Sequence, residues 1–252
     1  MKLNKNNYYS QQSNKEYMSY SQFKDFCECP AMAMAKINGE YEQEKTDSLL
    51  VGQYVDSWLD GDLDAFTELN PDIFNSRTGE LKAQFKQADE LCQIIESDKY
   101  LYKLLRGKRQ KILTGSIAGV NFKCKIDSML DDMTIDGKVL KDCNDVWIDS
   151  QKMPFYMANR YDIQAAIYST LRKQVRQEDV PFVLAVVTKE KTPDKRLFMF
   201  SKETIATALQ EVIAKAPVFQ DIKDGKEQAW GCGKCDYCRQ KKQLNKNDFE
   251  IL

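Results

Sequence analysis

The chain has no histidine in 252 residues. That absence excludes a Ser-His-Asp triad, a Cys-His nucleophile pair and any histidine-ligated zinc enzyme. Phosphate-cradling loops are missing too. With no GxxxxGKS/T and no GxGxxG, ATP hydrolysis and Rossmann-type cofactor binding have no support. No apolar stretch reaches the roughly 18–20 residues that span a bilayer, and the polar start Met1-Lys-Leu-Asn-Lys-Asn-Asn is unlike a secretory signal. Excess charge is lacking as well. A net charge of −1 argues against a simple DNA-coating protein, although a basic path beside an acidic metal site is compatible with a near-neutral total.

What is present begins with the stretch Phe122-Lys-Cys-Lys-Ile-Asp127-Ser-Met-Leu-Asp-Asp-Met-Thr-Ile-Asp136-Gly-Lys138. Apolar and polar residues partly alternate on both sides of Asp131-Asp132, which reads as a hairpin. If those two aspartates form the turn, residue pairs whose numbers sum to 263 face each other. Asp127 then lies opposite Asp136, and Lys125 opposite Lys138. Alternation puts these four on one face and Ile126, Ser128, Leu130, Met133 and Ile135 on the other. Facing carboxylates repel, as do facing lysines, and a divalent cation between the carboxylates would remove the first repulsion. Lys138 lies roughly 7 Å beyond Asp136 on the same face. Hard oxygen ligands suit Mg2+, and phosphodiester hydrolysis needs positive charge near the attacked phosphate. The competing reading is an exposed hairpin with ordinary surface charges.

A helix expected over 155–175 follows, with Gln164 and Tyr168 at i and i+4 on one face. Asp127, then Asp136-x-Lys138, then Gln164-x-x-x-Tyr168 resembles the PD-(D/E)XK nucleases of the RecB and lambda-exonuclease type. The nearest match is the phage RecE-like exonucleases (exodeoxyribonuclease VIII type). Segments beginning at Ser19, Leu50, Val187 and Cys232 are similar to further parts of that group, so the resemblance runs from Tyr17 to Leu244. It implies that Asp127, Asp136 and the carbonyl of Gly137 bind Mg2+ or Mn2+. Lys138 would orient water or stabilise the pentacovalent phosphorus. Gln164 and Tyr168 would contact DNA or hold the other residues in place. Asp56 stands where many relatives carry a histidine, and is a further candidate metal ligand. The resemblance also implies 5′-to-3′ action on double-stranded DNA ends, a ring-like homo-oligomer, and a phage annealing protein of the RecT type as partner in a bacterial cytoplasm. Two readings stand beside it: a non-catalytic DNA-binding or assembly module, and a nicking or single-strand endonuclease on the same core.

The cysteines form a second candidate site. There are eight, at 27, 29, 92, 124, 143, 232, 235 and 238. Cys232-x-x-Cys235-x-x-Cys238 lets consecutive thiolates converge on one metal or cluster. Cys29 is the first candidate for a fourth ligand and Cys27 the second. In related nucleases one N-terminal and three C-terminal cysteines hold a [4Fe-4S] cluster, so the resemblance implies one here. Zinc fits four thiolates equally by count. Cys92, Cys124 and Cys143 read as small buried hydrophobes. Thiols in a chain without a secretory signal suggest a reducing cytoplasm.

Residues 1–16, rich in Asn, Gln and Ser, are expected to be a disordered tail. Residues 17–244 are expected to form a single nuclease-like domain with the cysteine run near its end, and 245–252 a charged tail. Helices are expected near 19–37, 46–59, 62–69, 81–106, 155–175 and 202–222. Strands are expected near 110–117, 120–130, 133–140, 181–189 and 195–200. The order predicts an α/β fold with a central mixed sheet flanked by helices. Basic residues gather at Lys103, Arg106, Lys108, Arg109 and Lys111, and again at Lys234, Arg239, Lys241 and Lys242.

Overall fold

A computed structural model describes residues 1–177, 179–244 and 249. The segment 1–16, expected as a disordered tail, is folded. Helix α1 (Gln11–Glu16) is capped by Ser10, whose hydroxyl accepts from the Ser13 amide. Tyr8 and Ser13 are buried. The cause is distant in sequence: the buried Lys123 ammonium donates to Tyr8 O, Ser13 Oγ and Asn14 Oδ1 at 2.6, 2.8 and 2.7 Å. The expected tail 245–252 lies outside the described residues, apart from Phe249.

The helix expected over 19–37 is two helices, α2 (Tyr20–Glu28) and α3 (Pro30–Asn38). Pro30 cannot continue a helix but fits the first position of the next, and Cys29 joins the two in extended conformation. Helix α4 (Asp47–Asp60) starts at a Thr46 cap and ends at Gly61 with φ +78°. Helix α5 (Leu63–Leu69) and a 3-10 turn, Pro71–Ile73, follow. The helix expected over 81–106 breaks at Asp98 into α6 (Ala83–Ser97) and α7 (Lys99–Leu105), because the Asp98 carboxylate caps the Leu101 amide.

Strands β1 (Lys108–Ile117) and β2 (Val120–Met129) are joined by Ala118 and Gly119. Both have positive φ, as a two-residue hairpin loop of the I′ type requires. β2 pairs antiparallel with β3 (Thr134–Leu140), Ser128 opposite Ile135 and Met129 opposite Thr134. This is the register that the Asp131-Asp132 turn predicts. Strands β4 (Val146–Ile148) and β5 (Gln151–Met153) form a separate small hairpin absent from the sequence-based expectation. The helix expected over 155–175 is a short α8 (Phe155–Ala158) and a longer α9 (Tyr161–Arg176), separated by Arg160 at φ +63°. Strands β6 (Phe182–Thr188) and β7 (Lys195–Met199), then helices α10 (Lys202–Lys223) and α11 (Asp236–Lys241), complete the chain.

The five-stranded sheet has the order β1-β2-β3-β6-β7, with β3 and β6 parallel and β6 and β7 antiparallel. The fold is therefore α/β with a mixed central sheet. The chain divides into two compact units. One comprises Glu44–Gly115 and Cys124–Gln210. Its core packs α4, α6 and α7 against Ile135, Val183, Ala185 and Val187. Alternation turns Asp136 and Phe182 to the opposite face, toward α9. Arg172 of α9, 1% exposed, donates to Leu130 O, Asp131 O, Met133 O and Thr134 Oγ1 and so grips the β2–β3 turn. The other unit comprises Met1–Gln43, the β1–β2 tip Ser116–Lys123 and the chain from Glu211. Phe23 and Phe26 pack on Phe219 at centroid distances of 5.3 and 5.1 Å, and Met18 bridges in parallel to Phe122. Among the described residues, no helix is long and apolar enough to cross a membrane.

Candidate active site and cysteine centre

The hairpin places Asp127 on β2 and Asp136, Gly137 and Lys138 on β3. Asp127 Oδ2 accepts from the Gly137 amide at 3.1 Å, which fixes one carboxylate beside the backbone of the other. Asp136 is buried, 2% exposed. Its Oδ1 accepts from Gln164 Nε2 at 2.6 Å, and its Oδ2 is paired with the Lys138 ammonium. Gly137 sits where α7 comes close: a Cβ there would meet Leu105 Cδ2 at 3.2 Å. The sheet faces argued from the sequence therefore bring Asp127, Asp136, Lys138 and Gln164 together.

Asp56 joins them from α4. It lines a cavity of about 40 Å³ with Gly52, Leu105, Gly137, Lys138 and Val187. Burial and the Asp127 charge push its carboxyl up to about 8, against the pull of Lys138 and Arg109. Asp136 is pushed up to about 7, by burial and by Asp127, with Lys138 opposing. Burial alone would lower Lys138, yet the Asp136 and Asp127 carboxylates outweigh it and hold its ammonium above the ordinary lysine range. Lys138 is thus a cation throughout the neutral range, suited to stabilising negative charge rather than to accepting a proton. Asp56, Asp127 and Asp136 are a donor set of hard carboxylate oxygens, which fits a divalent cation such as Mg2+ or Mn2+.

Tyr168 is placed differently from Gln164. Its buried ring packs edge-on against Phe182 at 5.9 Å, so its packing is that of a core aromatic one turn beyond the carboxylates. Two other residues enter the site without having been singled out. Lys138 Nζ stands 5.5 Å from the centroid of Tyr161, a cation–π contact. Arg109, expected as one of a run of basic residues, is mostly enclosed: its Nε donates to Asp60 Oδ1 at 2.6 Å and its Nη2 to Asp56 O at 3.4 Å. It ties β1 to the end of α4 that carries Asp56. The basic run at 103–111 was the visible signal for Arg109, but its acidic partner lies 49 residues earlier.

The second site gathers Cys29, Cys232, Cys235 and Cys238, whose Sγ atoms all lie within 4.8 Å of one another. Cys29 is fully buried at the start of α3. Cys232 lies in the loop before α11, Cys235 is the residue preceding that helix, and Cys238 is within it. Backbone amides of Cys232, Lys234 and Cys235 point at sulfur, the first at Cys29 Sγ and the other two at Cys232 Sγ, at 3.4, 3.4 and 3.3 Å. Cys27 is outside the set. Cys92 and Cys124 are buried, as small hydrophobes should be, whereas Cys143 is half-buried.

A mixed five-stranded sheet with Asp127 on β2, Asp-x-Lys on β3 and a glutamine on the following long helix defines a protein of the PD-(D/E)XK class. The chain belongs to the family described as a PDDEXK-like domain of unknown function (DUF3799), whose profile matches residues 19–241. It is also similar to a crystal structure from Eubacterium rectale described as a "putative exonuclease". The two are 40% identical, with a TM-score of 0.94 over 98% of this chain and 96% of that one. No curated protein matches the chain.

Proposed function

We propose that this protein is a divalent-metal-dependent deoxyribonuclease that degrades double-stranded DNA from its ends. The observation that carries this reading is the convergence of Lys138 and Gln164 on the Asp136 carboxylate, with Asp127 held on the adjacent Gly137 amide and Asp56 lining a cavity with Gly137 and Lys138. Asp127, Asp136, Asp56 and the Gly137 carbonyl are the groups that would hold Mg2+ or Mn2+. Such an ion supplies Lewis acidity toward a phosphoryl oxygen and lowers the pKa of water. Lys138 supplies a fixed positive charge for the phosphate that accumulates negative charge. Gln164 restrains Asp136 through Oδ1, so that the other oxygen, which faces Lys138, keeps one orientation. Action on ends is supported by the solved relative's description as an exonuclease. A 5′-to-3′ direction, a RecE-like role in phage recombination, a RecT-type annealing partner, a ring-shaped oligomer and a bacterial cytoplasm rest on the sequence resemblance.

The test is digestion of linear and of covalently closed circular duplex DNA with Mg2+, with Asp136→Ala alongside. End-dependent degradation consumes only the linear substrate and disappears in the variant. Cleavage of both forms indicates an endonuclease on the same core. Binding without cleavage of either indicates a DNA-binding module. Wild-type rates in Asp136→Ala remove the site assignment.

A further inference from the structure

The related iron–sulfur nucleases lead one to expect a cubane cluster at the four cysteines, and the sulfur spacing does not fit one. In such a cluster each thiolate binds a different iron at the corner of a cube, which spreads the four sulfurs to roughly 6 Å apart. Here every Sγ pair is within 4.8 Å, and Cys29 Sγ and Cys238 Sγ are 3.6 Å apart. A single tetrahedral ion with metal–sulfur bonds of about 2.3 Å places its thiolates about 3.8 Å apart. The observed spacing brackets that value.

We infer that Cys29, Cys232, Cys235 and Cys238 bind one zinc ion as a closed tetrathiolate centre rather than an iron–sulfur cluster. Four soft thiolates with no histidine or carboxylate favour zinc among the common divalent ions. The surrounding backbone is built to the same small scale. A Cβ on Gly231 would come within 3.0 Å of Cys238 Sγ, so the loop presses against the sulfur. Gly233 takes φ +72°, which turns the chain between the first two ligands of the run. The amide–sulfur hydrogen bonds at Cys29 and Cys232 disperse the charge of a tetrathiolate. The Ala31 amide donates to Trp230 O at 3.1 Å, joining the same two segments beside the ligands. With all four ligand positions filled by protein, the ion is structural: it clasps the segment 230–238 to the start of α3. Zinc has no redox chemistry, so the centre transfers no electrons.

The measurement is metal content and acid-labile sulfide of the full-length wild-type protein, purified without oxygen from cells supplied with both iron and zinc. The expected result is one zinc per chain, no labile sulfide and no broad visible absorption. Iron with matching labile sulfide overturns the inference, and so does protein that carries neither metal. Replacing the bound ion with Co2+ gives an independent reading of geometry. Intense visible bands with thiolate-to-cobalt charge transfer are expected, while a weak octahedral spectrum overturns the assignment. Cys238→Ser should lower zinc content and melting temperature together. If that variant does not fold, the wild-type cobalt spectrum still decides. None of these readouts uses DNA, so zinc in a protein that cleaves nothing would sink the nuclease reading and leave the zinc centre standing.

Discussion

Gln164 Nε2 donates to Asp136 Oδ1 at 2.6 Å, so a helix residue holds one oxygen of a buried carboxylate while Lys138 faces the other. Loss of such a supporting hydrogen bond costs on the order of 10–100-fold in metal affinity or activity. Gln164→Leu is expected to lower cleavage by that amount, with the larger part of the loss recovered at high Mg2+. Initial rates across a Mg2+ titration check this. A variant as active as wild type at every concentration refutes the positioning role.

Arg109 and Asp60 form a mostly enclosed charge-assisted pair that links β1 to the end of α4. Arg109→Met should destabilise the fold by about 2 kcal/mol, the scale of a hydrogen bond to a charged group. Asp60→Asn, which retains an acceptor, should lose less. Urea unfolding of the two variants gives the comparison, and equal losses would count against the charged pair.

The proton on Asp136 makes stability depend on pH. Its carboxyl is raised from the ordinary aspartate range to about 7, first by burial. The native state therefore keeps a proton that the unfolded chain releases, and stability falls with rising pH in that window. The contribution is complete below about pH 4 and is lost as pH passes through about 7. Metal-free wild-type protein is expected to melt at a lower temperature near pH 8 than near pH 5, and Asp136→Asn to show a shallower slope. Parallel slopes in thermal melts would overturn the assignment.

Lys123 holds the N-terminal segment through three acceptors on Tyr8, Ser13 and Asn14. Lys123→Met keeps the aliphatic stem and strands buried acceptors, a loss of about 1–3 kcal/mol. Proteolysis within residues 1–16 should quicken in the variant, and mass spectrometry of the fragments reads it. Unchanged cleavage would show that the segment is held by other contacts.

The hairpin register was legible because strand alternation has a period of two and a two-residue turn leaves one way to pair Asp127 with Asp136. Gln164 was legible through the Gln164-x-x-x-Tyr168 spacing that follows the hairpin in the order resembling the PD-(D/E)XK nucleases, since its helix face alone reads as polar. The cysteine set was legible by spacing and count, since three thiols at x-x intervals need a fourth. What stayed hidden depends on long-range partners. Lys123 reads as one more polar residue of β2 until Tyr8, 115 residues away, closes over it. The same holds for Arg109 and Asp60. Helix breaks at Cys29 and Asp98 were hidden differently: Pro30 and Asp98 were visible, but apolar periodicity runs on through both. Tyr168 shares the helical spacing of Gln164, and its packing on Phe182 could be seen only once β6 was placed beside α9.

The sulfur of Cys29 has its nearest centre partners 203 and 209 residues further along the chain. During synthesis at about 5–20 residues per second, that thiol leaves the ribosome roughly 10–40 s before the last of the other three. Closing so long a loop from a random chain is entropically costly. Packing of Phe23 and Phe26 on Phe219 shortens that loop by holding the two segments that carry the ligands together. A chain cut short before Cys232 carries one ligand of the four, Cys29.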